Sequence, residues 1–303
     1  MRPDLLSRVD GLRTGRTPFV LATVVRAERP TSAKPGDCAL VLADGTIDGF
    51  VGGVCAESTV RLESLRLLEA GESGLLRITP RAGDDDARAE EGVRTVGNPC
   101  LSGGTLEIFL EAMIPPTLVV VYGEAPIARA IVRVGHSLDW DVRASLDPAA
   151  PIAPDTCAVV VASHGRDEAA VLRAALAEDV PYVALVASRK RAAGVLDELA
   201  DLGVPRDQRT RIHAPAGLDI GARTASEVAL SVLADIVAQR PRVHLPPPAP
   251  AQLGREVALD PVCGMDVAVT PASLCAAHAG KTVYFCGSGC RQAFLDDPAR
   301  YAT

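Results

Sequence analysis

The sequence predicts an α/β protein in three parts: an N-terminal α+β domain, a doubly wound parallel sheet and a small cysteine-rich C-terminal module. Three observations predict it. Short β-type runs separated by turn signals fill residues 17–113. From residue 117 strand-like runs alternate with helical runs, which is typical of a parallel sheet covered on both faces. Four of the eight cysteines lie beyond residue 260, in a stretch too short to fold comfortably on an apolar core alone.

Composition narrows the classes of function. The 303 residues suffice for two or three domains, and 48% of them are hydrophobic, which is enough for true cores. A net charge of −7 and a pI near 5.3 argue against a nucleic-acid surface and against binding to anionic membranes. The first residues carry charges where a signal peptide has an apolar core, and no run approaches the roughly 18 apolar residues of a membrane helix. We therefore expect a cytoplasmic protein with no membrane span.

The N-terminal domain, residues 1–113, is predicted to be α+β. Its one strongly helical stretch follows Cys55 and ends at Gly71. The apolar stripe of this helix comprises Val60, Leu62, Leu65, Leu67 and Leu68. The β-type runs lie at residues 19–25, 38–42, 46–51, 75–78 and 104–110.

A Pro-rich break at residues 114–116 begins the second domain, residues 114–240. Its strands are predicted at residues 117–122, 142–146, 158–162 and 182–186, and its helices at 127–134, 167–178 and 190–202. Residues 241–257 are predicted to form a Pro-rich linker, because such a stretch cannot continue a helix or a sheet interior. Residues 258–303 then form the C-terminal module.

The turn after the first strand of the second domain is a candidate ligand site. In a Rossmann dinucleotide fold, three glycines allow the tight turn, the approach of a pyrophosphate and close helix packing. Here Gly123 stands at the first position, and Ala125 and Ala128 replace the other two glycines. Asp147 lies 24 residues after Gly123, where a ribose-binding acid would stand. The turn indicates a nucleotide-type ligand, with a purely structural Rossmann-like sheet as the alternative.

Two further cysteines lie beside glycine pairs. Cys55, followed by Glu57, stands where a glycine-rich turn enters a helix, and helix N-termini favour thiolates through their dipole and free amides. Cys100 precedes a second glycine-rich loop, Ser102-Gly103-Gly104. The occurrence of both cysteines in loops with glycine pairs indicates a functional site. The alternative for each cysteine is a small buried hydrophobic residue.

The C-terminal thiols indicate a metal site. Cys263, Cys286 and Cys290 follow the spacing Cys-x22-Cys-x3-Cys, so two nearby thiols and a distant third can converge on one soft ion. A disulfide or ordinary buried cysteines are the alternatives. His278 or Cys275 could supply a fourth ligand, whereas three-coordinate Cu(I) would need none. The residues do not select among copper, zinc and iron.

The C-terminal motifs resemble those of the YHS family of metal-associated modules. The matching residues are Asp260-Pro261-Val262-Cys263-Gly264-Met265, Tyr284-Phe285-Cys286, Cys290, Phe294, Asp297-Pro298 and Tyr301.

Residues 17–240 resemble the XdhC/CoxI family of accessory proteins that mature molybdenum hydroxylases, and the variants around Cys55 and Cys100 resemble its carbon monoxide dehydrogenase branch. The matching residues are Leu21-Ala22-Thr23-Val24-Val25, Pro35-Gly36, Asp44-Gly45, Gly52-Gly53, Cys55, Glu57, Cys100, Ser102-Gly103-Gly104, Glu107, Ser163-His164, Tyr182-Val183, Ser188-Arg189 and residues 213–221.

The resemblance implies a maturation factor and not a stand-alone enzyme. It would bind molybdenum cofactor, a molybdopterin with or without a nucleotide extension, and insert it in sulfurated form into a xanthine dehydrogenase or carbon monoxide dehydrogenase type of hydroxylase. The implied cofactor-binding residues are Cys55, Glu57, Cys100, Ser102, Gly103, Gly104, Gly123, Ala125, Asp147, Ser163, His164, Ser188 and Arg189. The implied metal ligands are Cys263, Cys286 and Cys290, holding a soft transition metal.

The implied partner is the client hydroxylase, with a sulfur donor protein and a second copy of the chain as further candidates. Two other classes of function fit parts of the sequence. A nicotinamide-dependent oxidoreductase would use the turn at Gly123, and the alanine at the second glycine position argues against it. A metal-handling or metal-sensing protein would use the C-terminal module, with the rest of the chain as scaffold.

Overall fold

The computed structural model describes residues 3–80, 92–97, 104–239 and 256–301. The chain forms two compact units, one of Met1–Pro115 together with Pro248–Thr303 and the other of Pro116–Pro247. Cys100, Ser102 and Gly103, together with most of the predicted linker at residues 241–257, lie outside the described residues. Among the described helices, none is both long and apolar enough to cross a bilayer.

The first unit contains a six-stranded mixed sheet. Its elements in chain order are α1 (Pro3–Thr14), β1 (Phe19–Glu28), β2 (Cys38–Leu42), β3 (Ile47–Gly49), α2 (Val54–Ala70), β4 (Gly74–Thr79), β5 (Val93–Gly97) and β6 (Thr105–Met113). The strand order is β3-β2-β1-β6-β4-β5, and only β4 and β5 pair in parallel. The predicted α+β character is confirmed. Neither α1 nor β5 was predicted, because α1 is mostly polar and β5 is short and flanked by polar sequence.

Helix α2 is buried on two sides, which explains its broad apolar stripe. Val60 and Leu68 pack into the core of the sheet. Leu62 and Leu65 instead contact Ala268, which belongs to the C-terminal module. One helix therefore packs against both the sheet and the module.

The C-terminal module consists of two antiparallel strand pairs and two short helices. Its elements are β12 (Val257–Leu259), β13 (Asp266–Ala268), β14 (Leu274–His278), β15 (Lys281–Phe285), α8 (Ser288–Asp296) and α9 (Pro298–Tyr301). Phe285 and Phe294 are 1% and 2% exposed, and their ring centroids lie 5.3 Å apart. This core is thin, so contact with α2 adds apolar burial that the module alone would lack.

The second unit is a five-stranded, wholly parallel sheet with helices. Its elements are β7 (Leu118–Tyr122), α3 (Pro126–His136), β8 (Asp141–Ser145), β9 (Thr156–Val161), α4 (Glu168–Ala177), β10 (Tyr182–Leu185), α5 (Arg189–Asp201), α6 (Arg206–Arg209), β11 (Ile212–His213) and α7 (Ala225–Gln239). The order β11-β10-β9-β7-β8 is the doubly wound order 2-1-3-4-5 seen from the other edge. The predicted parallel, doubly wound sheet is confirmed.

The two faces of this sheet are covered by different helices. Helices α3 and α7 pack with one apolar cluster of the sheet, and α4 and α5 pack with another. Helix α7 was not predicted, although its buried residues recur at helical spacing and would have revealed it. They are Ala229, Val232, Leu233 and Ile236.

A buried carboxylate ties α7 to the sheet. Asp235 is 4% exposed, and its Oδ2 accepts a 2.7 Å hydrogen bond from the Tyr182 hydroxyl and lies 3.3 Å from Nδ1 of His213. The rings of Tyr182 and His213 stack with centroids 4.4 Å apart. Burial, reinforced by the bond to Asp235, raises the pKa of Tyr182, so its hydroxyl remains a donor.

Replacing Asp235 with alanine is expected to destabilise the second unit by about 2–4 kcal/mol, because a buried hydroxyl loses its acceptor. Trp140 is the single tryptophan of the chain and packs against the same core, so its fluorescence during urea unfolding follows this unit. Asp197→Ala, at an exposed position of α5, serves as control and should stay within about 0.5 kcal/mol of the parent. Equal unfolding midpoints for the two variants would contradict the role given to Asp235.

Candidate functional site

The first unit holds a group of thiols, here called the thiol cluster: Cys263, Cys286 and Cys290. The Sγ atoms of Cys263 and Cys286 are 3.5 Å apart, and those of Cys286 and Cys290 are 3.7 Å apart. Thiolates around one tetrahedral Zn²⁺, each about 2.3 Å from the ion, stand roughly 3.8 Å from one another. A disulfide would need about 2.05 Å. The three predicted thiols therefore converge at a spacing that suits a metal ion and does not suit a disulfide.

Three separate elements deliver these thiols. Cys263 lies in the turn between β12 and β13, where Gly264 takes a left-handed φ of 74°. Cys286 directly follows β15, and Cys290 lies in the first turn of α8. The spacing of the three cysteines in the sequence thus arises because a turn, the end of a strand and the start of a helix lie next to one another.

Asp260 holds the backbone around the thiol cluster in place. It is fully buried, and its Oδ1 and Oδ2 accept hydrogen bonds of 2.9 and 2.8 Å from the amides of Val262 and Cys286. One carboxylate therefore holds the Cys263 turn against the end of β15. A carboxylate oxygen of Asp260 also lies within 4.8 Å of the three thiols, which makes four mutually close ligand atoms.

The three thiols differ in pKa because they hydrogen-bond to one another and are buried to different extents. The pKa of Cys263 is lowered to about 7, chiefly because the Cys286 thiol hydrogen-bonds to it. The same hydrogen bond raises the pKa of Cys286, with a bond to Cys55 adding to the effect. Burial raises the pKa of Cys290 to about 12. Cys263 is thus the readiest thiolate, and a metal ion would displace protons from the other two.

Cys55 lies beside the thiol cluster and not apart from it. It is the second residue of α2, is partly buried, and packs against the cluster formed by Met265, Val267 and Cys286. Sequence reasoning had grouped Cys55 with the cofactor loops, since nothing in the sequence connects it to thiols so far along the chain. Glu57 follows in the first turn of α2 and acts electrostatically on Arg61.

Gly104 is the one residue of the Cys100 loop that the structure describes. A Cβ at this position would lie 2.3 Å from the carbonyl oxygen of Pro30 and 2.5 Å from that of Glu28. Close backbone packing beside β1 therefore accounts for this glycine.

Strand order in the second unit reverses between the carboxyl ends of β7 and β9, and we call this position the strand-end crevice. Open α/β sheets place ligands at this point. Gly123 follows β7 with φ 124°, and a Cβ there would lie 2.4 Å from the carbonyl oxygen of Ala162. Gly123 is required by this close approach, whatever the ligand.

The loop after β9 forms the other side of the strand-end crevice. His164, Gly165 and Asp167 all have positive φ, and all are exposed. Backbone strain of this kind concentrates at functional sites. Tyr122 at the end of β7 donates a 3.2 Å hydrogen bond to Asp167 Oδ2, which connects the two sides of the crevice.

A buried acid holds this loop in place. Glu168 is 4% exposed, and its Oε1 accepts a 2.9 Å hydrogen bond from the Gly165 amide and pairs with Arg191 of α5. Ser163, also buried, donates a 2.7 Å hydrogen bond to the Arg166 carbonyl. The strain is therefore supported by a connected polar network, which sequence reasoning missed because a glutamate in a helix is usually exposed.

The remaining predicted residues of the second unit lie at the same edge of the sheet. Ala125 caps α3, whereas Ala128 is buried inside that helix. Asp147 follows β8 and accepts a 2.9 Å hydrogen bond from the Ala149 amide. Ser188 and Arg189 begin α5, both exposed, and Ser188 accepts a bond from the Arg191 amide. The carboxyl ends of four parallel strands thus gather these residues at one edge.

Three family models match separate parts of the chain. Residues 12–79 match the model described as the XdhC and CoxI family, and residues 119–236 match the XdhC Rossmann domain. Residues 258–303 match the YHS domain. The thiol cluster thus lies within the YHS match, and the strand-end crevice within the Rossmann match.

Three curated proteins align with most of the chain. It is 26% identical to the molybdenum cofactor insertion chaperone PaoD of Escherichia coli strain K12 over 282 residues, 79% of this chain and 88% of that protein. It is 30% identical to the uncharacterized protein YqeB of the same strain over 260 residues, 77% of this chain, but it spans only 46% of that relative's length. It is 24% identical to a probable xanthine dehydrogenase subunit of Bacillus subtilis strain 168 over 223 residues, 65% of this chain and 64% of that protein.

Proposed function

The chain carries XdhC and CoxI, XdhC Rossmann and YHS domains, and on that premise we propose that it binds molybdenum cofactor and inserts it into a molybdenum hydroxylase. The alignment with the insertion chaperone PaoD carries the proposal, because it extends over 88% of that protein. The client would be of the xanthine dehydrogenase or carbon monoxide dehydrogenase type. The chain would act as an accessory factor and not as the hydroxylase.

The strand-end crevice is the proposed site for the phosphate or nucleotide end of the cofactor. The first amides of α3, after Gly123 and Ala125, are suited to an anion because a helix N-terminus presents unpaired N–H groups. Ser188 and Arg189 stand at the start of α5, where the positive side chain adds to the same effect. Asp147 would accept a ribose hydroxyl. Ser163 and His164 would line the opposite side.

The thiols of the first unit are proposed to serve the soft end of the cofactor. Cys55 and Cys100, with Glu57 and the loop at residues 102–104, would bind molybdenum or hold sulfur received from a sulfur donor protein. Thiolates suit both tasks because they are soft ligands and good sulfur nucleophiles. In the described part of the chain none of the seven cysteines forms a disulfide, which fits a reducing compartment such as the cytoplasm.

Cofactor content tests this proposal. Protein purified under reducing conditions from cells that make molybdenum cofactor should carry molybdenum, measured by mass spectrometry, and a pterin that fluoresces after release and oxidation. Arg189→Ala should lower retention of both about 10- to 100-fold, because a charged hydrogen bond to phosphate contributes about 1.5–3 kcal/mol.

Arg173→Ala, at an exposed position of α4, is the matched control and should retain the parent's content. A parent protein that carries neither molybdenum nor pterin, and that does not raise the activity of a co-expressed hydroxylase, would overturn the proposal.

A second candidate function is the handling of a soft metal by the YHS domain. The converging thiols and Asp260 favour it, because their ligand atoms already lie within 4.8 Å of one another. Copper, zinc and iron each suit thiolates, and coordination number separates them: closed four-coordinate thiolate sites are typical of zinc and iron.

A further inference from the structure

The thiol cluster supplies three thiols, and a tetrahedral soft-metal site needs a fourth ligand. The two candidates for the fourth ligand that the sequence suggested, His278 and Cys275, do not fill this role. His278 packs its ring edge-on against Phe294, with centroids 5.3 Å apart, and Cys275 is exposed on β14. Neither belongs to the group of mutually close ligand atoms among the described residues, and the Sγ of Cys55 also stands outside that group. Cys55 differs from the other two because it packs against the apolar cluster that contains Cys286.

Asp260 belongs to that group but is already engaged. Both of its carboxylate oxygens accept backbone hydrogen bonds, from Val262 and Cys286, and those bonds position Cys263 and Cys286 themselves. If metal binding drew Asp260 away from these amides, it would undo the arrangement of two other ligands. A soft ion also prefers sulfur to a hard carboxylate oxygen.

Cys55 is the remaining thiol at this position. It packs, together with Cys263 and Cys290, against the apolar cluster of Met265, Val267 and Cys286. Its side chain is also among the groups that raise the pKa of the Cys286 thiol. Cys55 therefore lies beside the thiol cluster while belonging to a different domain.

Packing between the domains holds Cys55 in this place. Leu62 and Leu65 of α2 bury Ala268 of β13, two turns along the helix from Cys55. At the start of the helix the fit is equally close, since a Cβ on Gly287 would lie 3.3 Å from Cγ1 of Val54. The contact face of α2 thus runs from its first turn to its middle.

Electrostatics favours several thiolates here. Cys55 lies in the first turn of α2, and Cys290 lies in the first turn of α8. Neither helix has a side chain that caps its N-terminal amides in the described structure. Two positive helix ends therefore face one group of thiols, and each stabilises nearby negative charge.

We propose that Cys55, Cys263, Cys286 and Cys290 form a single closed four-thiolate site for a tetrahedral divalent ion, Zn²⁺ in the first instance, which fastens the YHS domain to helix α2. The ion replaces the thiol protons, which pass to the solvent. Three thiolates come from the YHS domain and one from the N-terminal domain. The site is complete only when the two are packed together.

One consequence concerns the cofactor, and it rests on the proposed function. While a metal ion holds Cys55, that thiol is not available to molybdenum cofactor, so loading of the YHS domain would mask it. The metal site itself does not depend on this consequence. Neither test of the metal site uses molybdenum cofactor, so failure of that site is distinguishable from failure of the proposed function.

The first test is titration of the reduced, metal-free full chain with Co²⁺, a spectroscopic stand-in for Zn²⁺. The parent and the control Cys275→Ala should show the sulfur-to-cobalt charge transfer of four thiolates. Cys55→Ala should lose about a quarter of that intensity, since three thiolates remain of four. Its affinity should fall at least tenfold, because even groups behind the ligands typically contribute 10- to 100-fold. Equal spectra and affinities for Cys55→Ala and Cys275→Ala would overturn the proposal.

The second test uses the unaltered chain and so avoids any folding defect of the variant. Iodoacetamide labelling with and without Zn²⁺, read by peptide mass spectrometry, should show Cys55 and the three thiols of the cluster protected together. Cys275 should react equally in both states. Protection of Cys263, Cys286 and Cys290 with no change at Cys55 would show a site without it and would refute the four-thiolate assignment.

Discussion

Asp260→Ala is expected to abolish stable metal binding by the YHS domain. The substitution leaves the buried amides of Val262 and Cys286 without their acceptor. Each such loss costs about 1–3 kcal/mol, and the two together approach the whole stability of so small a domain. The turn that carries Cys263 would separate from the end of β15. Metal retained after purification should fall from about one ion per chain to a small fraction.

Asp260→Asn refines this test. Its side chain keeps one acceptor oxygen and replaces the other with an N–H donor, so it should give an intermediate affinity. Asp266→Ala, at an exposed position of β13 in the same domain, is the control and should bind metal like the parent. The affinity is measured by competition with a chromophoric chelator. If Asp260→Ala and Asp266→Ala bind Zn²⁺ equally well, Asp260 does not organise the thiols.

Gly123→Ala is expected to destabilise the second unit by about 3–5 kcal/mol. Gly123 has φ 124°, and the new Cβ would lie 2.4 Å from the carbonyl oxygen and 2.7 Å from the carbonyl carbon of Ala162. Backbone strain contributes about 1–3 kcal/mol and forced overpacking a similar amount. Because the obstacle is the backbone at the end of β9, no side-chain rotation relieves it.

The control for Gly123→Ala is Gly165→Ala on the opposite side of the strand-end crevice. Gly165 also has a positive φ, 98°, but a Cβ there meets nothing within 4 Å. It should cost only the strain component, about 1–2 kcal/mol. Trp140 fluorescence in urea measures both variants in the same unit. Equal losses of stability would show that close packing against Ala162 is not the reason for this glycine.

The local spacing of apolar residues was sufficient to predict most helices and strands, because the buried side of each element recurs with the period of that element. The parallel sheet was predicted from strands that alternate with helices, and α2 from a stripe of leucines that ends at Gly71. The width of the stripe also indicated a second contact face, which was not predicted. The stripe is wider than one contact face needs, and in the structure Leu62 and Leu65 turn to the YHS domain while Val60 and Leu68 turn to the sheet.

Elements with weak or mixed patterns escaped prediction for a physical reason. Among the strands that the structure describes, β5 pairs only with β4, at the sheet edge, so little of its sequence needs to be apolar. The pairing of Asp235 with Tyr182 and the support of Glu168 for its loop are long-range contacts between polar residues. Such contacts leave no periodic trace in the sequence.

Local pattern in the sequence was enough to single out the candidate thiols: those of the C-terminal module, with spacing suited to a metal, and Cys55 at a glycine-rich helix start. The same local pattern predicted the parallel sheet and the turn at Gly123 that follows its first strand. The packing of Cys55 beside the thiol cluster and the bonds by which Asp260 aligns that cluster became evident from the folded structure alone. The physical reason is that helix α2 packs on two sides and so brings together residues that are distant along the chain. The local spacing of its apolar residues does not indicate which element covers the second side.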